Sequence, residues 1–396
     1  MKAVVLAAGE GKRLRPFTVS RPKVMIPVGN RPILEYVISA LVENGIQDIV
    51  LVVGYRKETI MSYFADGRKF GARITYAVQE KQLGTAHALS IAKKHLDDEF
   101  LVVAGDNLID SRTVSDLVGY DGGPSMLVTE SEIPSKYGVV QVEGDRVVRI
   151  DEKPEGRIGN IISTGIYRFN EDLLRAVEDG VGGGKIGITH VLQALVPKMD
   201  LPAVHTTGKW IDAVYPWDLI GVNAAALAVH GQEIAGTIES GVTIKGSVSV
   251  GAGTRIRSGT YIEGPATIGE GCDIGPSATI LPSTSVGNGV QIESFSLLSN
   301  CLVMNNVDIG SHSHLSHSVL DDGVRVATGL ASPAGCAFAR VEDEFFRLER
   351  IGGLVGEGTE IGSGVVIASG SIVGAGCRIG SGVRVTGNLE NKSVVV

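Results

Sequence analysis

The sequence predicts an α/β domain built on a mainly parallel sheet, followed by a parallel β-solenoid. In residues 1–230, short apolar runs rich in β-branched residues alternate with amphipathic helical patterns. From about residue 236 the pattern changes, and an aliphatic residue recurs at every sixth position. The 53 glycines are denser in this second region, without the Gly-X-Y period of collagen. We therefore predict two domains, over residues 1–230 and 236–396, joined by a partly helical connector.

The first region contains the elements of a strand–helix–strand fold. Buried strands are predicted at Ala3–Leu6, Asp48–Val53 and Phe100–Ala104. One helix is predicted from near Pro32 to Gly45, and another covers Thr85–His95. Strands that alternate with helices form a parallel sheet covered on both faces, and ligands bind beyond the carboxyl ends of its strands. The loops that follow these strands are therefore the candidate site.

The second region repeats with a period that fits neither a helix nor an ordinary strand. Its aliphatic positions are Ile238, Ile244, Val250, Ile256, Ile262, Ile268, Ile274, Ile280, Val286, Ile292 and Leu298, then Val355, Ile361, Ile367, Val373, Ile379 and Val385. The register slips near Asn305, which we interpret as an inserted bend. A charged, Phe-containing stretch at about 332–352 interrupts the repeat and is expected to protrude as a loop. One aliphatic per six residues predicts short strands that each send one side chain into a narrow interior.

Charge and cysteine content narrow the class of protein. The net charge of −8 argues against a general nucleic-acid binder, which needs a basic stripe. No apolar run approaches the roughly 20 residues of a membrane span. The four cysteines are far apart and never form CxxC, so neither a zinc knuckle nor a redox pair is indicated. We expect a cytoplasmic protein with reduced thiols that acts on small molecules.

The loop after the first strand has the composition of a phosphate-binding loop. Leu6–Pro16 combines Gly9 and Gly11 with the cations Lys12 and Arg13. Glycine lets backbone N–H groups approach a phosphate, and the cations neutralise its charge. The loop is not a Rossmann fingerprint, since Leu14 stands where the third glycine belongs, and Arg13 replaces the Ser or Thr of a Walker A motif.

Further motifs follow this loop at wide spacing. They are Pro22-Lys23, Gln79 to Thr85, Gly105-Asp106, Glu152-Lys153 and Ile211-Asp212. Together with the opening loop they resemble the sugar-1-phosphate nucleotidylyltransferases over essentially all of residues 1–230. The resemblance implies a Rossmann-like nucleotidyltransferase domain that binds a nucleoside triphosphate and a sugar 1-phosphate. The run from Gln79 to Thr85 looks most like the uridylyltransferases that make UDP-N-acetylglucosamine, while thymidylyl relatives read a similar pyrimidine edge, so both UTP and dTTP stay open.

The resemblance also assigns roles to individual residues. The nucleotide-binding set is Leu6, Ala7, Ala8, Gly9, Gly11, Lys12, Gln79, Gly84 and Thr85. The sugar-phosphate-binding set is Gly138, Glu152, Lys153 and Thr164. Arg13 is the catalytic candidate beside the departing pyrophosphate, and Lys23 the one beside the α-phosphate. Asp106 and Asp212 are hard oxygen ligands suited to Mg²⁺, which is the expected cofactor.

The chemistry that these residues would serve needs no general base. A sugar phosphate oxygen is already anionic at neutral pH, so it can attack the α-phosphorus directly. The reaction requires in-line positioning and neutralisation of charge on the α-phosphate and the leaving pyrophosphate. Cations and a metal ion, more than a proton acceptor, are therefore the expected catalytic groups.

The second region resembles the left-handed hexapeptide β-helix, which commonly trimerises. In the bifunctional enzymes with this domain order, a similar helix acetylates glucosamine 1-phosphate with acetyl-CoA. By that similarity His314 would be the catalytic base, although His317 stands where that family has tyrosine, and its asparagine is absent near Ala327–Pro333.

The alternative interpretation of the whole chain is a glucose-1-phosphate uridylyl- or thymidylyltransferase whose solenoid is only an oligomerisation scaffold. A third class, the translation-factor exchange subunits, shares this two-domain architecture. Those proteins tend to lose the cationic loop and the paired acids that are present in this sequence.

Overall fold

A computed structural model describes residues 1–154, 156, 158–184, 186–229, 231–342 and 344–396. His230, at the end of the first predicted domain, and Asp343, in the predicted loop, lie outside these residues. The chain forms two compact units, one of residues 1–10 and 33–211 and the other of residues 11–32 and 212–396. No helix within the described ranges is long and apolar enough to cross a membrane.

The first unit is built on one mixed sheet. In chain order its strands are β1 (Lys2–Ala7), β2 (Asp48–Val53), β3 (Arg73–Val78), β4 (Glu99–Ala104), β5 (Asn107–Ile109), β6 (Ser125–Glu130), β7 (Gly138–Glu143), β8 (Arg146–Glu152), β9 (Ile161–Asn170) and β10 (Ala203–His205), and β11 (Trp210–Asp212) ends at the unit boundary. The sheet order is β8-β7-β9-β4-β1-β2-β3, with β6 beside β9 and β10 beside β6. β5 and β11 are outside this sheet and form a separate two-stranded sheet.

Four neighbouring strands confirm the predicted parallel core. β3, β2, β1 and β4 pair parallel in that order, with β3 at the edge of the sheet. The nearly continuous apolar sequences of β2, β1 and β4 are typical of strands buried on both faces. β9 then pairs antiparallel with β4, and the antiparallel β7 and β8 follow at that side. The chain order reverses between β1 and β4, so a ligand crevice is expected beyond their carboxyl ends.

Among the described residues, six helices accompany this sheet. They are α1 (Ile33–Glu43), α2 (Lys57–Phe64), α3 (Thr85–Ala92), α4 (Ser111–Val118), α5 (Glu171–Gly182) and α6 (Ile188–Leu195), with single 3₁₀ turns at Arg68–Phe70, Lys93–His95, Pro134–Lys136 and Val196–Lys198. The predicted helix near Pro32 begins at Ile33, because Pro32 still belongs to a short strand. The helix predicted over Thr85–His95 is α-helical to Ala92 and ends in a 3₁₀ turn.

The second unit contains the left-handed β-helix, whose strands form three parallel sheets. The first solenoid sheet comprises Glu233–Ile234, Val248–Val250, Ala266–Ile268, Thr284–Val286, Leu302–Val303, Val319–Leu320, Leu354–Val355, Ile372–Val373 and Asn388–Leu389. The second comprises Thr237–Ile238, Arg255–Ile256, Asp273–Ile274, Gln291–Ile292, Asp308–Ile309, Arg325–Val326, Glu360–Ile361, Arg378–Ile379 and Val394–Val395. The third comprises Thr243–Lys245, Tyr261–Glu263, Thr279–Ile280, Leu297–Ser299, His314–Ser316, Ala331–Ser332, Val366–Ile367 and Arg384–Val385. Their aliphatic side chains fill one continuous core.

The register slip comes from shortened coils, and the expected inserted bend near Asn305 is wrong. Ile256 pairs with Ile274, eighteen residues later, but Leu298 pairs with Leu315 after only seventeen. The missing residue falls at the corner around Asn300, which takes a φ of 51°. Asparagine tolerates this left-handed conformation better than most residues, so the corner can be made tighter without a glycine.

The second unit also contains elements outside the solenoid coils. The interruption of the repeat is an antiparallel hairpin of Gly335–Val341 and Glu344–Ile351. Helix α7 (Asp218–Leu227) packs against the first solenoid sheet. Residues 11–32 contain 3₁₀ turns at Lys12–Leu14 and Lys23–Met25 and the paired strands Pro27–Val28 and Arg31–Pro32. The loop that carries the candidate phosphate-binding cations thus belongs to the solenoid unit.

Candidate functional site

The carboxyl edge of the parallel strands holds the first group of predicted residues. Leu6 and Ala7 are in β1, and the carbonyl of Leu6 accepts a bond from Gly105 N at 2.9 Å, which joins the ends of β1 and β4. Asp106 follows directly after this contact and is half-buried. Ala8 is buried, whereas a Cβ added at Gly9 would meet nothing within 4 Å. The main chain after β1 is therefore open at Gly9, as the approach of a phosphate requires.

The predicted base reader Gln79 is held in place by two partners. It is buried at the end of β3, and its Nε2 lies 3.1 Å from Gly84 O and 2.9 Å from His87 Nδ1. Gly84 has a φ of 94°, and a Cβ there would stand 2.1 Å from Ile186 O. Thr85 begins α3 and accepts a bond from Ile188 N at 3.0 Å. Because both bonds of Gln79 use Nε2, a bidentate contact with a base requires one of them to be released.

The predicted sugar-binding residues Gly138 and Glu152 lie side by side on paired strands. A Cβ at Gly138 would stand 3.1 Å from Glu152 Oε2, so glycine leaves this carboxylate uncovered. Lys153 follows with an exposed side chain and a φ of 45°, and its N–H donates to Tyr137 O at 3.0 Å. The Tyr137 ring meets the Trp210 ring edge-on at 5.3 Å. A carboxylate, a cation and an aromatic pair therefore occur together here, which is a composition suited to a sugar phosphate.

The fourth predicted sugar-phosphate-binding residue, Thr164, is buried. Its side chain is 1% exposed, and its hydroxyl donates to Leu127 O at 2.7 Å. Its carbonyl accepts from Trp210 Nε1 at 2.9 Å and from Asn107 Nδ2 at 3.3 Å. The structure thus uses Thr164 to join β9, β6 and the aromatic pair, and its hydroxyl is already committed to the sheet.

In the second unit, Gly11, Lys12 and Arg13 form one tight turn. Gly11 has a φ of 77°, and its carbonyl accepts bonds from Leu14 N at 2.9 Å and from Thr18 Oγ1 at 3.1 Å. Leu14 is fully buried, which explains why an apolar residue stands where the Rossmann motif has glycine. Lys12 is exposed and Arg13 half-buried on this turn.

Arg13 is tied to an aromatic cluster that the sequence analysis did not single out. Tyr215 forms a hydrogen bond with Arg13, and burial of the ring raises the pKa of the Tyr215 hydroxyl. Tyr215 stacks on Trp217 at 5.0 Å and contacts Phe346 of the hairpin at 4.4 Å. The hairpin that interrupts the solenoid repeat therefore contacts Tyr215, which in turn forms the hydrogen bond with Arg13.

The candidate catalytic residue Lys23 makes a short ion pair with a candidate metal ligand. Its Nζ donates to Asp212 Oδ1 at 2.6 Å, with side-chain exposures of only 11% and 15%. A Cβ on Gly11 would lie 2.7 Å from Lys23 Cβ, so the lysine stem packs directly on the glycine turn. The turn and the ammonium group form one rigid arrangement within this unit.

The donor set present is compatible with Mg²⁺. Asp106 belongs to the first unit and Asp212 to the second, and no group of three or more His, Cys, Asp or Glu side chains gathers within the described parts of the chain. Mg²⁺ is usually bound through one or two carboxylates, with phosphate oxygens and water completing its coordination. Asp106 and Asp212 each offer carboxylate oxygens of the kind that Mg²⁺ takes as ligands.

His314 is on the outer face of the solenoid. Its side chain is exposed in the strand His314–Ser316 of the third sheet, between Leu297 and Ala331. His317 is at the next corner with a φ of 49°, and its Nδ1 lies 3.0 Å from Ser316 Oγ. Burial, reinforced by a nearby arginine, lowers the pKa of His317. The arrangement leaves the imidazole of His314 accessible to a ligand.

The structure adds two residues to the predicted set. His87 bonds the amide of Gln79, and Tyr215 bonds the guanidinium of Arg13. The first could have been found from sequence, since His87 follows Thr85 on a helix that begins at the candidate base-reading loop. The second could not, because nothing local relates residue 215 to residue 13.

Comparison with known proteins decides the family of the first region. The profile described as "Nucleotidyl transferase" matches residues 2–228. The chain belongs to the nucleotidyl transferase family. The profile described as "GMPPB C-terminal domain" matches residues 262–331, and the one described as "Bacterial transferase hexapeptide (six repeats)" matches residues 352–387, consistent with the left-handed β-helix.

Three curated relatives of this nucleotidyl transferase have different names. It is 37% identical to the "Bifunctional protein GlmU" of Methanococcus maripaludis over 64% of this chain and 61% of the relative. It is 36% identical to a glucose-1-phosphate thymidylyltransferase of Streptomyces antibioticus, over 65% and 74% of the two chains. It is 34% identical to the low-salt glycan biosynthesis nucleotidyltransferase Agl11 of Haloferax volcanii, over 83% and 94%. The chain thus spans about six tenths of the GlmU protein but nearly all of Agl11.

Proposed function

We propose that this chain is a sugar-1-phosphate nucleotidylyltransferase that uses UTP or dTTP and, as its sugar substrate, N-acetylglucosamine 1-phosphate. The observation that carries the proposal is the buried Lys23 ammonium, held 2.6 Å from Asp212 against the glycine turn of Gly11. A buried ammonium beside a phosphate-type loop is suited to neutralising charge during phosphoryl transfer. Membership of the nucleotidyl transferase family supports the same reaction class.

In the proposed reaction, an oxygen of the sugar phosphate forms a bond to the α-phosphorus of the nucleotide. The bond from that phosphorus to the bridging oxygen breaks, and pyrophosphate leaves with the electron pair. Lys23 neutralises the α-phosphate, and Arg13, oriented by Tyr215, neutralises the departing pyrophosphate. No proton needs to be removed, so a base is not required.

The other predicted residues bind and orient the two substrates. Gln79, held by His87, reads the base, and the open main chain at Gly9 accepts the phosphates. Glu152 accepts hydrogen bonds from sugar hydroxyls beside Gly138. Mg²⁺, held by Asp106 and Asp212, would supply further neutralisation of the phosphate oxygens.

The substrate assignment is tested by one panel of reactions. Five nucleoside triphosphates are combined with N-acetylglucosamine 1-phosphate and glucose 1-phosphate, and released pyrophosphate is measured with Mg²⁺ or with EDTA. We expect Mg²⁺-dependent release with UTP or dTTP and N-acetylglucosamine 1-phosphate. Faster release with glucose 1-phosphate would favour the alternative substrate, which the Streptomyces relative's name suggests. No release with any pair would contradict the proposed activity.

The metal ligands have a separate test. Asp212→Asn keeps the hydrogen bond to Lys23 but removes the carboxylate charge, so it should raise the Mg²⁺ concentration needed for half-maximal rate. Asp218→Asn, at the first residue of α7, is the control, because Asp218 Oδ2 accepts backbone bonds from Val214 and Tyr215. An unchanged Mg²⁺ requirement in Asp212→Asn would remove it from the ligand set.

We also propose a second activity, acetylation of glucosamine 1-phosphate by acetyl-CoA, on the solenoid. It is supported by the exposed imidazole of His314 and by the name of the Methanococcus relative. Release of free CoA thiol on mixing the two substrates is the measurement, and His314→Ala should abolish it. If the wild-type chain releases no thiol, the solenoid has no acetyltransferase activity, and a homotrimer in light scattering is then expected of an oligomerisation scaffold.

A further inference from the structure

Arg21, two residues before Lys23, is buried against the solenoid. Its Nη2 donates to Asp321 Oδ1 and to Asp322 Oδ2, each at 2.8 Å, and its Nη1 lies 3.1 Å from Met304 Sδ. The side chains of Arg21 and Asp321 are 8% and 1% exposed. One guanidinium of the loop is thus bound by two adjacent carboxylates from a single corner of the β-helix.

This arrangement is costly to fold. Asp321 Oδ1 also accepts the N–H of Asp322 at 2.8 Å, but Asp321 Oδ2 is buried without a hydrogen-bond partner. Desolvation of buried charges commonly exceeds their mutual attraction, and an unpaired buried oxygen adds to that penalty. An apolar contact would join the loop to the solenoid at lower cost, so stability alone does not account for these residues.

A second set of hydrogen bonds fixes the carboxyl-terminal end of the segment that contains Lys23. Asn30 Nδ2 donates to Val286 O at 2.6 Å, and Gly29 N donates to Asn223 Oδ1 at 2.8 Å. Asn223, on α7, also accepts from Ser285 Oγ at 2.7 Å. One end of the segment that contains Lys23 is therefore fixed to a corner of the solenoid, and the other end to the first solenoid sheet and to α7.

We propose that Asp321 and Asp322, through Arg21, are positioning residues for nucleotidyl transfer, and that the solenoid acts in this reaction by fixing the loop that carries Lys23. Lys23 begins a single 3₁₀ turn directly after Pro22, so one proline, whose φ is restricted by its ring, separates it from Arg21. The role rests on the proposed function, since it concerns the rate of that reaction. It assigns the solenoid a task that neither acetylation nor oligomerisation requires.

The test uses the full chain with Asp321→Asn/Asp322→Asn, which preserves side-chain shape and replaces both carboxyl groups by amides. Asp273→Asn is the matched control, because Asp273 is bound by Arg257 elsewhere on the solenoid. A loosened loop should lower kcat by about tenfold to a hundredfold, since small misplacements of catalytic groups have effects of that size. The KM values of the double variant should differ from those of the wild-type chain by no more than about twofold. This is expected when a change affects only the stabilisation of the transition state. An unchanged kcat, or an equal loss in the control, would overturn the proposal.

A second measurement separates this proposal from the proposed activity. Amide hydrogen exchange of residues 20–28 reports on the turn, in which Met25 N donates to Pro22 O at 2.9 Å and Ile26 N to Lys23 O at 3.0 Å. Exchange there should be faster in the double variant than in Asp273→Asn. Unchanged exchange would refute the positioning role even if no substrate pair is turned over. If the double variant does not fold, the same exchange measurement is made on Arg21→Lys, a milder change, and compared with Asp273→Asn.

Discussion

Replacement of Lys23 by methionine tests the central feature of the proposed site. Methionine keeps a straight apolar stem, so packing on Gly11 is largely preserved, and only the ammonium group is removed. The change leaves Asp212 without its bond from Lys23 Nζ, which is 2.6 Å long in the native protein. Two effects should follow, one on the free energy of unfolding and one on the rate.

The two effects have separate magnitudes. Removing one partner of a buried ion pair costs about 3–5 kcal/mol, and because both side chains keep some exposure here, we expect the lower end, about 3 kcal/mol. Loss of a preorganised charge that stabilises the transition state lowers kcat by about a hundredfold to a thousandfold. The loss of rate should exceed anything explained by unfolded protein, because the native state remains dominant after a loss of this size.

The assay combines pyrophosphate release at saturating substrate with urea unfolding. Lys57→Met is the control, since Lys57 pairs with Glu80 at 3.1 Å on the surface, where the acid is 78% exposed. Exposed pairs contribute about 0–1 kcal/mol, so this variant should keep its stability and its kcat. If folded Lys23→Met retains more than about a third of the wild-type kcat, well above the loss expected for a transition-state charge, the catalytic assignment is wrong.

Four further outcomes follow from single sites. Gly9→Ala, whose Cβ meets nothing within 4 Å, should leave the melting temperature unchanged but raise the KM for the nucleotide; an unaltered KM would place the phosphates elsewhere. Gly84→Ala, at a φ of 94° and with its Cβ 2.1 Å from a carbonyl oxygen, should lower stability by at least about 1–3 kcal/mol in urea unfolding. In a thiol titration at pH 8, exposed Cys336 should react quickly, whereas burial that raises the pKa of Cys301 to about 11 should keep it unreactive until unfolding. Burial also raises the pKa of Asp321 to about 7, so between about pH 4 and 7 the native state retains a proton that the unfolded state has lost. The free energy of unfolding should therefore decrease as the pH rises through this range, by up to about 4 kcal/mol. Urea unfolding at pH 5 and pH 8 measures this decrease, which should be smaller in Asp321→Asn.

Local patterns allowed the architecture to be predicted with few errors. The period of six in the aliphatic residues fixes which side chains enter the solenoid core, because each short strand turns one side chain inward. The strand Asp48–Val53 has the bounds predicted for it, since an unbroken run of apolar and β-branched residues admits little else. The prediction of an inserted bend near Asn305 was wrong because it rested on a residue count alone. A count of residues cannot distinguish an added residue from a missing one without the pairing of Leu298 with Leu315.

One signal for the packing of the solenoid was present and was not used. Leu302, Val319 and Leu354 point outward from successive strands of the first sheet, yet all three are fully buried. Apolar residues at both positions of a two-residue strand indicate that its outer face is covered as well. The sequence could therefore have shown that something packs on this sheet, although not that helix α7 covers its strands Thr284–Val286 and Leu302–Val303.

The amino-acid sequence by itself determined the two repeating patterns and the chemical character of the loops, because periodicity, glycine and charge act through neighbouring residues. Only the tertiary structure decided which residues work together. The bond of Arg21 to Asp321 joins positions 300 residues apart, and that of Lys23 to Asp212 spans 189. The pairing of Arg21 with Asp321 depends on how many coils the solenoid stacks and where its corners fall, and that of Lys23 with Asp212 on how distant segments fold together. These are properties of the folded chain as a whole, and no local pattern encodes them.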